Sequence, residues 1–233
     1  MSASASPDVG RLVDVPERLV AFDTQNPPGH EARAAAMLAG ALSDIGFEAE
    51  LREVADGRAN VVARLDNGVG PCLAFNSHID TVPTGAGWSS DPFRLIERDD
   101  RLCGRGACDA KGSISAMVEA GRLLLDRRRD WRGTLLLAFV ADEEIDGAGA
   151  KALVKQPPSI NWVVVGEPTS NAVCAAHKGC VRPLLWVKGR AAHSGLPELG
   201  ALDRLFVGDL PHQIEGEVAD HGHVFGPMTG AQA

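Results

Sequence analysis

The stretch Ser77-His78-Ile79-Asp80-Thr81-Val82-Pro83 sets an imidazole and a carboxylate two residues apart. Four further acidic residues, at three sites along the chain, follow it. Asp109 lies in Gly104-Arg105-Gly106-Ala107-Cys108-Asp109-Ala110-Lys111-Gly112, Glu143 and Glu144 follow Ala141-Asp142, and Glu167 lies in Gly166-Glu167-Pro168-Thr169. One imidazole and several carboxylates, each at a strand end or a helix start, suit a Zn²⁺-like cation. Their intervals are those a dinuclear metal site needs. A His-x-Asp alone carries little information; the ordered set carries much more.

Each member has a chemical reading and a plainer one. His78 is a neutral imidazole ligand whose other ring nitrogen is held by Asp80, which raises its basicity; or the two form a pair that caps a strand. Asp109 bridges two cations, as a carboxylate can when they lie ~3.5–4 Å apart; or it caps the helix that starts near Lys111. Glu143 and Glu144 leave the backbone in different directions. Glu144 is assigned to the metal and Glu143 to general acid/base work on a water acidified by the cation; the alternative is an exposed acidic loop from Asp142 to Asp146. Glu167 closes an apolar strand and needs a partner, which a cation, Lys178 or Arg182 would supply. Cys108 is read as a packed small thiol rather than a ligand, His30 as solvated and His177 as locally packed.

The elements that position these residues alternate between strand and helix. Residues 11–24 and His30–Ile45 have helical spacing, the second closing on Gly46. Phe47–Val54, Asn60–Leu65, Cys72–Ser77, Gly133–Ala141 and Trp162–Gly166 read as strands. The last three are nearly all apolar and are expected to be buried. Lys111–Leu125 and Ala148–Val154 read as helices, and Ala172–Ala176 and Val181–Lys188 as further strands. The pattern is α/β, with a mixed, mostly parallel sheet flanked by helices. In such sheets ligands collect beyond the carboxyl ends of the strands, where His78, Glu143, Glu144 and Glu167 fall. From about Ala175 the texture changes to a second, smaller α+β unit that holds His193 in Gly189-Arg190-Ala191-Ala192-His193-Ser194-Gly195. Beyond Leu205 periodicity fades. The expected division is 1–174, 175–205 and a disordered tail, 206–233.

Bulk properties narrow the function classes. The 233 residues are 45% hydrophobic and 23% charged, with a net charge of −8. An acidic chain without clustered Lys and Arg does not fit a nucleic-acid partner. The one basic run, Arg127-Arg128-Arg129, is read as a solvated helix end. No apolar run reaches the ~20 residues of a membrane helix. Five cysteines without a CxxC pair, behind a small, polar N-terminus, point to reduced thiols and a cytoplasmic setting. The chain has no complete dinucleotide loop, P-loop or nucleophile elbow.

The four motifs, in this order and spacing, resemble the acetylornithine deacetylase / succinyl-diaminopimelate desuccinylase family of dinuclear zinc metallopeptidases, from about Leu19 to Gly200. Ala176-His177-Lys178-Gly179 after Gly166-Glu167-Pro168-Thr169-Ser170 looks most like the acetylornithine deacetylase branch. The resemblance implies that His78 and Glu167 bind one zinc, Glu144 helps bind the other, Asp109 bridges and Glu143 is the base. It implies a non-proline cis peptide after Asp109. It matches His193 to a lid histidine that reaches a partner's site in dimers and steadies the oxyanion. The implied reaction is hydrolysis of a small N-acyl amino acid, with zinc or cobalt as cofactor and a homodimer formed through the lid. A peptidase or aminoacylase would use the same site. Family members continue past this length and supply a final histidine to the second metal. His212, His221 and His223 are the only counterparts here. Without one, the second site keeps Asp109 and Glu144, short of the ~three ligands of a catalytic zinc. The expectation is weak or absent activity, one metal bound more firmly than the other, or a non-catalytic fragment.

Overall fold

Gly133–Val140 reads GTLLLAFV, and all eight residues are buried. A strand whose one polar side chain, Thr134, stands at its start and which is apolar from Leu135 to Val140 fits the inside of a sheet covered on both faces. The structure is a computed structural model and describes residues 6–155, 159–176, 184–190, 193, 196, 199–209 and 212–216. Its strands are β1 (Glu48–Ala55), β2 (Arg58–Asn67), β3 (Cys72–His78), β4 (Ile96–Arg98), β5 (Arg101–Cys103), β6 (Gly133–Val140), β7 (Trp162–Val165), β8 (Leu184–Arg190), β9 (Ala201–Asp209) and β10 (His212–Gly216). The helices are α1 (Val9–Val20), α2 (Ala32–Asp44), α3 (Gly112–Asp126) and α4 (Ala148–Lys155). The chain divides into two compact units, Met1–Val173 and Cys174–Ala233.

In the first unit β6 is the middle strand of a sheet ordered β1-β2-β6-β3-β7. β1, β2 and β6 pair antiparallel, whereas β6, β3 and β7 pair parallel. The mixed α/β sheet matches the sequence pattern, although its parallel share is confined to these last three strands. Residues of β6 alternate between two cores. Leu135, Leu137 and Phe139 join the larger cluster with Leu38, Leu42, Ile114 and Val118 of α2 and α3. Leu136 joins Val62, Cys72 and Ala74 on the other face, against Leu153 of α4. Gly46 ends the second helix as its position predicts. It takes φ 98°, a left-handed value that costs glycine little.

Leu137 has no exposed surface and sits between Ala63 and Phe75 in the sheet. Leu137→Ala is expected to cost about 2–5 kcal/mol, from lost burial plus an unfilled cavity. Leu102→Ala, at an exposed position, is expected to stay within about 0.5 kcal/mol. Urea unfolding of the two variants tests the layer assignment. A Leu137→Ala midpoint equal to wild type would mean that β6 is not the packed centre.

Several expectations are corrected. β7 is a strand but not a buried one: Trp162, Val163, Val164 and Val165 are about half exposed or more, because β7 is the edge of its sheet. Ala172–Ala176 forms no strand. Cys108 is exposed rather than packed. In the second unit β8, β9 and β10 make a three-stranded antiparallel sheet. Regular pairing thus continues through residues 206–209 and 212–216, where disorder was expected; residues 217–233 lie outside the described set. No helix among the described residues is long and apolar enough to cross a membrane.

Candidate metal centre

Three parallel neighbours bring the candidate residues to one edge of the sheet. His78 is the last residue of β3 and pairs with Val140, the last residue of β6. Glu143 and Glu144 therefore follow just beyond the same edge. Asn76 pairs with Val165, the last residue of β7, and the Gly166 amide donates to the Asn76 carbonyl at 2.8 Å. Glu167 is the next residue. Asp109 arrives from a kinked turn, Ala107–Lys111, that precedes α3. It is not the cap of α3, since Lys111 occupies that position without a side-chain hydrogen bond. The Asp109–Ala110 peptide is cis.

Ligand atoms of His78, Asp109 and Glu144 lie within 4.8 Å of one another. His78 Nε2 is 2.9 Å from Asp109 Oδ1 and 3.9 Å from Glu167 Oε2. Its Nδ1 is 3.0 Å from the Asp80 carbonyl oxygen and 3.5 Å from Asp80 Oδ1. Nδ1 meets acceptors only and so carries a proton. Nε2 is then the nitrogen aimed at the carboxylates, the arrangement a metal-ligating imidazole requires.

Asp80 is fully buried and holds more than the imidazole. It accepts from Asn26 Nδ2 at 2.9 Å and from the amides of Glu143 and Glu144 at 3.0 and 3.1 Å. One carboxylate thus fixes both the histidine and the turn that carries the glutamate pair. Glu143 points to solvent and Glu144 is half-buried, as adjacent residues on a turn can be.

The electrostatics show what this donor set lacks. Burial disfavours a charged His78, but hydrogen bonds to Asp109 and Asp80 and the charges of Asp80 and Glu167 outweigh it and raise the imidazole to about 11. Burial pushes Glu144 up, and repulsion from Asp109 adds to it. Burial also raises Glu167, with His78 opposing and Asp109, Glu143 and Glu144 adding to the rise. Burial would raise Asp80 as well, yet the hydrogen bonds from His78, Asn26 and the two amides keep it below the usual carboxylate range. Crowded carboxylates around one nitrogen take up protons when nothing else neutralises them. A divalent cation fits this set, which supplies imidazole nitrogen and carboxylate oxygen in the mixture zinc accepts.

Of the other predicted residues, His193 is exposed and lies in the second unit, between β8 and β9. His30 is exposed as expected. His177, Lys178, Arg182, His221 and His223 lie outside the described residues. The alternative of an exposed acidic loop does not hold at its first residue, since Asp142 is 4% exposed. Its side chain accepts from Asn26 Nδ2 at 2.8 Å, from Arg58, and from the Ala148 amide at the start of α4 at 3.0 Å. Asn26 and Arg58 were not singled out. Their site contacts span 54, 84 and 116 residues of chain, so no local pattern announces them.

Comparison with known proteins supplies the family. A sequence profile described as peptidase family M20/M25/M40 matches residues 74–228, beyond the point where motif resemblance ends. A probable succinyl-diaminopimelate desuccinylase of Staphylococcus epidermidis is 35% identical over 214 residues, covering 88% of this chain and 52% of that protein. An acetylornithine deacetylase of Vibrio campbellii is 36% identical over 171 residues, covering 72% and 44%. The chain spans about half the length of the curated relatives it matches. Among solved structures, a tripeptidase from Staphylococcus aureus superposes with a TM-score of 0.58 at 20% identity, covering 84% of this chain and 54% of that one. An M20 family metallo-carboxypeptidase from Sulfolobus solfataricus gives 0.58 at 21% identity, covering 77% and 40%. The profile covers well over half of the residues, and the chain belongs to peptidase family M20/M25/M40.

Proposed function

We propose that the chain carries the metal-holding site of an amide hydrolase that removes the acyl group from an N-acyl amino acid. The observation that carries this reading is the convergence of His78, Asp109 and Glu144 within 4.8 Å at the ends of parallel strands. The relatives named above, a desuccinylase and a deacetylase, support an acyl-amino-acid substrate. Zinc or cobalt is the proposed cation. His78 and Glu167 would hold one ion, Glu144 would help hold a second, and Asp109 would supply carboxylate oxygens to the site. When bound, such ions polarise a substrate carbonyl and lower the pKa of a neighbouring water.

The chain's own groups do the rest. Asp80 keeps the proton on His78 Nδ1 and so leaves Nε2 free to ligate. Glu143, pinned through its backbone amide to Asp80 and with its side chain towards solvent, takes the proton from the attacking water. As the C–N bond breaks, the same carboxyl returns that proton to the departing amine. On the resemblance alone, His193 is assigned to steadying the oxyanion and the second unit to pairing with another copy.

The test is acid release from N-acetyl-L-ornithine, N-succinyl-diaminopimelate and a dipeptide, each with added Zn²⁺ or Co²⁺. Weak release from an acyl amino acid and none from the dipeptide is the expected result, in keeping with a second metal position that is short of a ligand. Release from the dipeptide alone would replace this reading by a peptidase. No release from a folded, cobalt-binding chain would leave a metal-holding unit without the proposed activity.

A further inference from the structure

Behind the metal centre lies a connected set of polar groups that the proposed reaction does not use. Asn26 is 2% exposed, and both of its amide protons are committed, one to Asp80 at 2.9 Å and one to Asp142 at 2.8 Å. Its carbonyl oxygen accepts from Arg58 Nη2 at 2.6 Å. These partners settle which way the amide points, since two acceptors face its nitrogen and one donor faces its oxygen. Arg58 also binds Asp142 and the Pro28 carbonyl oxygen, the latter at 2.7 Å. The loop at Asn26-Pro27-Pro28-Gly29 is shaped around this guanidinium. A Cβ on Gly29, which has φ 81°, would overlap it.

The consequence reaches the site through Asp80 and Asp142. Asp80 holds the first end of the Glu143–Glu144 turn by two amides. Asp142 holds the other end through Ala148 and has the left-handed φ of 65° from which that turn departs. The two carboxylates repel each other and are joined by the Asn26 amide, whose carbonyl oxygen and whose partner Asp142 are both held by Arg58. Remove the amide, and each is left buried with a lone pair unmet, a state that rearrangement relieves.

We propose that Asn26 and Arg58 are positioning residues of the metal centre, which bridge Asp80 to Asp142 and thereby set His78 and the Glu143–Glu144 turn in ligating geometry. The proposal rests on the metal-holding reading of His78, Asp109 and Glu144. Neither residue touches the reacting atoms.

Two measurements on the full chain test it: Co²⁺ titration by calorimetry, and amide hydrogen exchange in the cation-free protein. Asn26→Ala is expected to weaken Co²⁺ binding about 10–100-fold, the usual cost of losing an outer partner of a ligand. It is expected to speed exchange of the Glu143 and Glu144 amides about tenfold, as loosening one hydrogen bond does, while Leu137 in β6 keeps its wild-type rate. Added to Asp80→Ala, it is expected to cost little further, because the acceptor at one end of the bridge is already gone. Arg58→Lys keeps the charge but cannot serve Asn26, Asp142 and Pro28 together. It is expected to show the same pattern more weakly, and it decides the matter if Asn26→Ala does not fold. Unchanged Co²⁺ affinity with unchanged exchange overturns the proposal. So does acceleration that includes Leu137, which would mark general destabilisation. Wild-type protein that binds no Co²⁺, yet shows the selective exchange change, would sink the metal reading and leave the positioning of the turn standing.

Discussion

His78→Ala is expected to abolish tight Co²⁺ binding, with a loss larger than the ~10–100-fold that removal of an outer partner costs. The argument is one of donors. Among the described groups that could hold a metal, His78 supplies the only nitrogen, and its Nε2 lies 2.9 Å from Asp109 and 3.9 Å from Glu167. Alanine removes that donor and leaves carboxylates crowded without it. It also empties a buried position beside Asp80, so a fold control is needed. His78→Gln keeps most of the volume but replaces the fixed imidazole with a flexible amide, a weaker ligand whose oxygen Asp80 does not orient. Both variants are to be titrated with Co²⁺ by calorimetry, with far-ultraviolet circular dichroism as the check on folding. Folded variants that bind as tightly as wild type would show that the cation is held elsewhere.

How far the site could be read from sequence follows from where each residue stands. His78, Asp109, Glu143, Glu144 and Glu167 each follow an apolar run or a glycine cluster. Strand ends are marked locally, so their placement is legible in the sequence. β6 is legible for the same reason, since an unbroken apolar run from Leu135 to Val140 admits few environments. β7 shows the limit. Trp162–Val165 is as apolar as a central strand, yet it lies at the edge of its sheet and stays exposed. Periodicity reports what a segment would bury, not what covers it. Asn26 shows a second limit. The Pro-Pro-Gly that follows it reads as a break in the chain, and nothing nearby reveals that its partners stand 54 and 116 residues away. Asp142 is hidden for a related reason: it sits in an acidic run, and only the fold shows that it faces Arg58 rather than water.

Glu143→Ala is expected to lower amide hydrolysis about 10²–10⁴-fold, the usual contribution of a positioned acid/base group, and to leave Co²⁺ affinity unchanged. The two readouts separate because the two glutamates are held differently. Glu144 is half-buried and shares the 4.8 Å cluster with His78 and Asp109, while Glu143 is exposed and is not in that cluster. Both backbone amides are tied to Asp80, and alanine keeps its amide. The turn should therefore hold its shape when the Glu143 carboxylate is removed, and the loss should fall on kcat rather than on KM. Glu144→Ala is expected to show the opposite order, with Co²⁺ affinity falling first. If Glu143→Ala instead weakens Co²⁺ and Glu144→Ala does not, the two roles are exchanged. If Glu143→Ala keeps full activity, the proton leaves the attacking water by another group. The affinity arm decides between the two glutamates even where the wild-type chain releases no acid, since binding needs only the ligands and hydrolysis needs the proton carrier as well.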